Sequence, residues 1–151
     1  MPTTNVNLTI AKAVKASFDE EVAFVSSLIK SKSPNPHTPQ DSPLHERVEG
    51  DVPSLIFDKL KGIGLVPKYV GPSKERQNVV AEWGEKRGRM GLMLNGHMDT
   101  IPPEGRDMIS PYSGAIRNGK IFGLGGLDMK ASLAAYIFAV KALIEAKVKI
   151  K

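Results

Sequence analysis

Apolar residues recur at Phe18, Val22, Val25 and Ile29, four, three and four positions apart, which predicts a helix over 18–30 opening near Ser17 with one buried stripe. Pro34, Pro36, Pro39 and Pro43 follow among Ser, Asn and Gln. Proline fixes φ and removes a backbone donor, so this stretch predicts a long exposed loop, with His37 and His45 as surface residues. A second helix is expected after Asp51 as its N-cap. It would hold Pro53 in the first turn, turn Leu55, Ile56 and Leu60 inward, and end at Gly62 and Gly64.

The pattern then changes to short runs rich in β-formers at 66–70, 78–83 and 89–95, which read as strands. The run MGLMLNG, 90–96, is apolar on both faces at its centre, as an inner strand covered by helices on each side would be. Asn118-Gly119 between two extended arms predicts a tight hairpin over 115–122. Residues 130–146 form the clearest helix, with Leu133, Ile137, Val140 and Ile144 on one face and alanine over much of the rest, so it should be largely buried. This order predicts an α/β fold, a mixed, largely parallel sheet flanked by helices, in which the last helix crosses over to a further strand. Only VKIK follows that helix, so the expectation is a truncated domain.

Composition narrows the function classes. A chain of 151 residues suits one domain with a substantial core. The 21 Lys and Arg against 16 Asp and Glu give +5, but the basic residues are scattered and few aromatics lie among them, which argues against a nucleic-acid partner. No cysteine is present, so disulfides, thiolate zinc sites and a cysteine nucleophile are excluded, and any metal must be held by His, Asp or Glu. No stretch reaches the roughly 18 apolar residues of a membrane span, and the first residues lack the apolar core of a signal peptide. A cytoplasmic protein is expected.

Two segments carry candidate chemistry. In LNGHMDT, 94–100, His97 lies just past the carboxyl end of the expected inner strand, where open α/β sheets place ligands. Side chains alternate along a strand, so His97 and Asp99 should project to the same side. Asp99 can then hold one imidazole nitrogen while the other binds a metal. The plainer reading is a strand-end histidine bonded to backbone, with Asp99 capping the turn before Pro102. In FGLGGLDMKAS, 122–132, three glycines free the backbone for close approach, and Asp128 follows just before the buried helix. Asp128 as a helix N-cap is the plainer reading there. A nucleotide-binding module is a third possibility, but G-L-G-G-L-D lacks the dinucleotide spacing and has no acid about 20 residues downstream. A non-catalytic remnant, whether structural or an interaction module, is the remaining alternative.

In order, G-H-M-D-T, then P-Y-S-G-A-I-R-N-G-K-I-F-G-L-G-G, then L-D-M-K-A closely resemble the zinc-dependent aminoacylase, acetylornithine deacetylase and succinyl-diaminopimelate desuccinylase family of co-catalytic metallopeptidases, over residues 89–146. The resemblance implies metal-dependent hydrolysis of an N-acyl amino acid or short peptide. It implies that His97 binds one metal, that Asp128 bridges two, that Asp99 is the catalytic residue orienting His97, and that the Asp128-Met129 peptide bond is cis. The metals would be two zinc ions, with cobalt or manganese also suited to carboxylate and imidazole. Leu124 stands where the family commonly has arginine, and Ala131 where it commonly has glycine. The family's general base and remaining ligands follow the last helix, beyond Lys151, as does the dimerisation domain of a homodimeric parent. The 151 residues are therefore expected to be the N-terminal part of a catalytic domain, and inactive alone.

Overall fold

The computed structural model describes residues 3–35, 51–73, 76–85, 91–103 and 110–149. Three helices dominate: α1 over Thr3–Lys30, α2 over Val52–Gly62 and α3 over Ala131–Glu145. Two hairpins accompany them, β1 (Lys68–Ser73) with β2 (Arg76–Val80), and β3 (Ala115–Arg117) with β4 (Lys120–Phe122).

Helix α1 begins at Thr3 rather than near Ser17. Residues 3–16 contain no glycine or proline and include good helix formers at Ala11, Lys12, Ala13, Lys15 and Ala16. The Ser17 hydroxyl donates backward to Ala13 O at 3.0 Å, so it sits inside the helix and caps nothing. The expected stripe is also shifted. Val25 and Ile29 are buried, together with Phe24 and Leu28, but Phe18 is 59% exposed. Lys130, at the start of α3, donates to the C-terminal end of α1, whereas Lys141, near the end of α3, pairs with Glu20, so the two helices run antiparallel. A 15-residue helix is only about 22 Å long, and α1 outruns it beyond Glu20.

The core forms where the three helices meet. Phe24, Val25, Leu28 and Ile29 of α1 cluster with Val52 and Ile56 of α2 and with Leu133, Ala134, Ile137 and Phe138 of α3. Each fully buried aliphatic side chain contributes about 1.5–3 kcal/mol. Around its rim Glu20 pairs with Lys59 at 3.0 Å and Lys141 at 3.1 Å, and the Lys59 ammonium lies over the Phe24 ring, 5.0 Å from its centroid. One carboxylate thus ties all three helices. Hydrogen bonds from Lys59 and then Lys141 hold the Glu20 carboxyl below its ordinary 4.5, outweighing burial.

As expected, α2 has Pro53 in its first turn and ends at Gly62. Asp51 occupies the N-cap position, but its side chain makes no cap bond, and its N–H instead donates to Ser31 Oγ at 2.9 Å. The first hairpin docks on α2 through Tyr69, stacked on Phe57 with centroids 4.5 Å apart. In the second, Arg117 pairs with Lys120 across a two-residue turn in which Asn118 (φ +50) and Gly119 (φ +71) both have positive φ, the conformation that Asn-Gly predicts. His37 and His45 lie outside the described residues.

The chain is mixed helix and sheet, as expected for α/β, but among the described residues the sheets are two separate antiparallel pairs. The only parallel contact there is a single bridge between Pro34 and Thr100. Residues 91–95 form no strand, and Leu92 and Met93 are 82% and 68% exposed, which corrects the expected inner strand. A run that is apolar on both faces becomes an inner strand only with a hydrogen-bonding neighbour and a helix layer on each face. The described residues supply neither.

Candidate functional site

The backbone from Met98 to Thr100 is held against the segment leaving α1. Thr100 N–H donates to Ser33 O and Asn35 N–H to Thr100 O, both at 2.7 Å, while Ser33 Oγ donates to Met98 O at 2.9 Å. Thr100 and Ser33 are buried, so these bonds form away from competing water. On the other side, a Cβ at Gly96 would lie 2.7 Å from Met129 Cε and 2.8 Å from Leu133 Cδ2. A side chain at Gly96 would displace the ends of these two side chains at the start of α3, and His97 N–H points at Met129 Sδ from 3.4 Å.

Asp128 comes from an irregular turn, Gly126–Lys130, that precedes α3. Lys130 N–H reaches back to Gly125 O at 2.8 Å, Asp128 and Met129 have non-helical φ of −126° and −137°, and the bond between them is cis, as the resemblance implied. Lys130 anchors the turn. It is fully buried, its ammonium donating to Leu28 O at 2.7 Å and Ser31 O at 2.8 Å, where a cation complements the helix C-terminus. Burial pushes this ammonium down to about 8. Gly125, at φ +80, lies over the Lys130 stem and against Thr100, whose Cγ2 would be 2.7 Å from a Cβ there.

These supports bring His97 between two carboxylates. Its Nδ1 lies 3.0 Å from Asp99 Oδ1 and 3.1 Å from Asp99 O, and its Nε2 lies 3.0 Å from Asp128 Oδ1. Nδ1 faces two acceptor oxygens and Nε2 faces one, so either ring nitrogen is placed to donate when it carries the proton. Burial pushes the imidazole pKa down, but the hydrogen bond to Asp128, the bond to the Asp99 carbonyl and the two carboxylate charges outweigh it, leaving it above 6.5. The Asp99 side chain is 22% exposed, whereas that of Asp128 is 85% exposed at the rim. Asn35, which the sequence reading missed, donates its side-chain amide to Asp99 Oδ2. The group opens on a hollow of about 350 Å3 between Asn35, His97, residues 99–101 and the loop 123–128.

Of the alternatives for these segments, Asp128 as N-cap of α3 does not hold, since Lys130 takes that position and no side chain caps it. In the glycine loop the N–H groups of Leu124, Gly126 and Lys130 bond inward to Pro111 O, Gly123 O and Gly125 O. His97, Asp99 and Asp128 do come together. Yet among the described residues no group of three or more His, Cys, Asp or Glu side chains converges to hold a metal ion. The pair that can ligate is His97 Nε2 and Asp128 Oδ1. Donors each about 2.0–2.1 Å from a tetrahedral ion sit about 3.3 Å apart, so their 3.0 Å separation fits two neighbouring positions of one shell.

Residues 93–151 match the model of peptidase family M20/M25/M40. The succinyl-diaminopimelate desuccinylase of Polynucleobacter necessarius subsp. necessarius is 32% identical over 103 residues, 64% of this chain and 27% of the relative. The acetylornithine deacetylase of Pasteurella multocida is 43% identical over 92 residues, 59% of this chain and 24% of the relative. A desuccinylase of the same name from Ralstonia nicotianae is 27% identical over 130 residues, 82% of this chain and 31% of the relative. The chain thus aligns with about a quarter to a third of the length of these relatives. The matched segment contains His97, Asp99, the glycine loop and Asp128, and over it the chain is similar to peptidase family M20/M25/M40.

Proposed function

We propose that these residues form one side of a metal-dependent amide-hydrolysis site, within the N-terminal part of a catalytic domain acting on an N-acyl amino acid or short peptide. The observation that carries the reading is His97 held between two carboxylates at the edge of an open hollow. Asp99 keeps the proton on Nδ1 and so leaves Nε2 as the metal-facing nitrogen, and it raises the basicity of that nitrogen. Nε2 and Asp128 Oδ1 would share one ion, and the second oxygen of Asp128, on a side chain 85% exposed, can serve another. Zinc suits imidazole and carboxylate, as do cobalt and manganese. A divalent ion held there would supply Lewis acidity toward an amide carbonyl and toward water.

With two protein donors most of each shell is left to water, so affinity in these 151 residues alone should be weak. Among the described residues no glutamate lines the hollow; following the resemblance, the general base and the remaining ligands would come from polypeptide other than these residues, and this segment by itself should not turn over substrate. A cytoplasmic location and a homodimeric parent belong to the same reading and rest on the resemblance. Two measurements test it. Calorimetry with zinc on the 151-residue chain should show weak binding that His97→Ala and Asp128→Ala each reduce further. Deacylation of N-acetyl and N-succinyl amino acids by this chain alone, lost in His97→Ala, would refute the incomplete-site reading, and zinc binding indifferent to both substitutions would refute the ligand assignment.

A further inference from the structure

Resting on that metal-site reading, we propose that Asn35 is a positioning residue, whose side-chain amide fixes the plane of the Asp99 carboxylate and through it holds His97 with Nε2 turned to the hollow. A carboxylate on a short stem turns about its last torsion in a broad, two-fold well, so one hydrogen bond leaves it free to swivel. Asp99 has two different partners, one on each oxygen. Oδ1 accepts from His97 Nδ1, and Oδ2 accepts from the Asn35 amide. With both oxygens engaged the plane is defined, and Oδ1 stays on the imidazole.

The amide is itself anchored to the backbone that carries Asp99. Asn35 N–H donates to Thr100 O and Thr100 N–H to Ser33 O, both at 2.7 Å, and the parallel bridge pairs Pro34 with Thr100. Asn35 and the backbone that carries Asp99 are therefore tied together by main-chain hydrogen bonds. The chemistry of the residue also matters. An amide donates without adding charge, so Asp99 keeps its full negative charge for the imidazole, whereas Lys or Arg in this place would divert it. An aspartate of the same shape would set a second carboxylate against Oδ2 and offer no donor.

The test uses the 151-residue chain with zinc as the only added metal, comparing wild type with Asn35→Ala and with the isosteric Asn35→Asp, whose folding is checked by thermal melting. Two readouts are taken. The first is the tautomer of His97 in the metal-free protein, from imidazole nitrogen shifts at a pH where the histidines are neutral. The chain has three histidines, and loss of one set of signals in His97→Ala assigns the one that matters. The second is zinc affinity by calorimetry. In wild type the Nδ1–H form, which has two acceptors, should predominate over the Nε2–H form that Asp128 Oδ1 accepts, and both variants should shift the mixture toward Nε2–H. Zinc affinity should fall about tenfold or more, the usual loss when a partner behind a metal-binding histidine is disturbed. An unchanged tautomer in both variants overturns the proposal, and so does a changed tautomer with unchanged zinc affinity. His97→Ala with wild-type zinc affinity would instead sink the ligand assignment. The tautomer comparison would still decide whether Asn35 orients Asp99.

Discussion

Gly119 and Gly125 share a backbone conformation and differ in their surroundings, so a paired substitution separates strain from packing. Gly119 has φ +71, and a Cβ there would meet nothing within 4 Å. Gly125 has φ +80, and a Cβ there would lie 2.7 Å from Thr100 Cγ2 and 3.2 Å from Lys130 Cδ. A left-handed alanine costs about 1 kcal/mol at either position. At Gly125 the overlap adds to this, because neither neighbour is free to give. Thr100 is 5% exposed and bonded through its N–H to Ser33 O, and Lys130 is fully buried with its ammonium on two carbonyls. Overpacking of this kind costs roughly 1–3 kcal/mol. Gly119→Ala should therefore lose about 1 kcal/mol and Gly125→Ala about 2–4 kcal/mol.

Urea unfolding of the two variants and wild type measures the difference as a shift in midpoint at constant slope. A second consequence concerns the site. Relief of the overlap moves either Thr100, beside Asp99, or the turn that carries Asp128, so Gly125→Ala should also weaken zinc binding while Gly119→Ala should not. Equal stability losses in the two variants, within about 0.5 kcal/mol, would refute the claim that the glycine loop is packed tightly onto Thr100 and Lys130.

Lys130→Met removes two bonds from buried carbonyls, each costing about 1–3 kcal/mol, partly offset by loss of a desolvated ammonium. A net loss of stability in thermal melting is expected, and a stabilised variant would contradict the anchoring role. Glu20 has a lowered folded pKa, so its contribution is present above 4.5 and is lost as pH falls through the folded value. The stability advantage of wild type over Glu20→Gln should accordingly be seen at pH 6, at no more than about 1 kcal/mol per ion pair, and should shrink as pH drops below 4.5; an advantage that grows on acidification would reverse the sign of the argument. Asp99→Asn should leave the melting temperature nearly unchanged and lower zinc affinity about tenfold, measured by calorimetry.

Local chemistry was legible where a local rule decides the conformation. Asn118-Gly119 needs no neighbour to turn a hairpin, and the apolar stripe of α3 is dense enough to fix a helix whatever it packs on. The ends of α1 were not legible for the same reason reversed: Ser17 is equally able to cap a helix or to bond backward inside one, and the sequence does not mark which carbonyl it meets. The placement of His97, Asp99 and Asp128 followed from motif spacing, because a family resemblance carries tertiary information that periodicity lacks. Asn35 had no such signal. It stands 64 residues from Asp99, and the pairing of residues 33–35 with 98–100 brings the two together.

The failure at residues 91–95 has a different cause. An apolar run reports the environment its side chains require, and the segment reads as doubly covered whether or not cover is at hand. Leu92 and Met93 remain exposed among the described residues, a few positions before His97. His97 and Asp128 would likewise, under the proposed function, offer two donors where a metal takes four or more. Under the proposed function the apolar face left uncovered among the described residues and the metal-binding His97 lie on one continuous stretch of backbone, and a single further layer of polypeptide would satisfy both. Covering Leu92 and Met93 would at the same time exclude water from the flank of the hollow, where every charge interaction made by His97 and its carboxylates would strengthen. The apolar pattern before His97 and the metal ligands are in this sense, under the proposed function, one requirement, written in two kinds of residue.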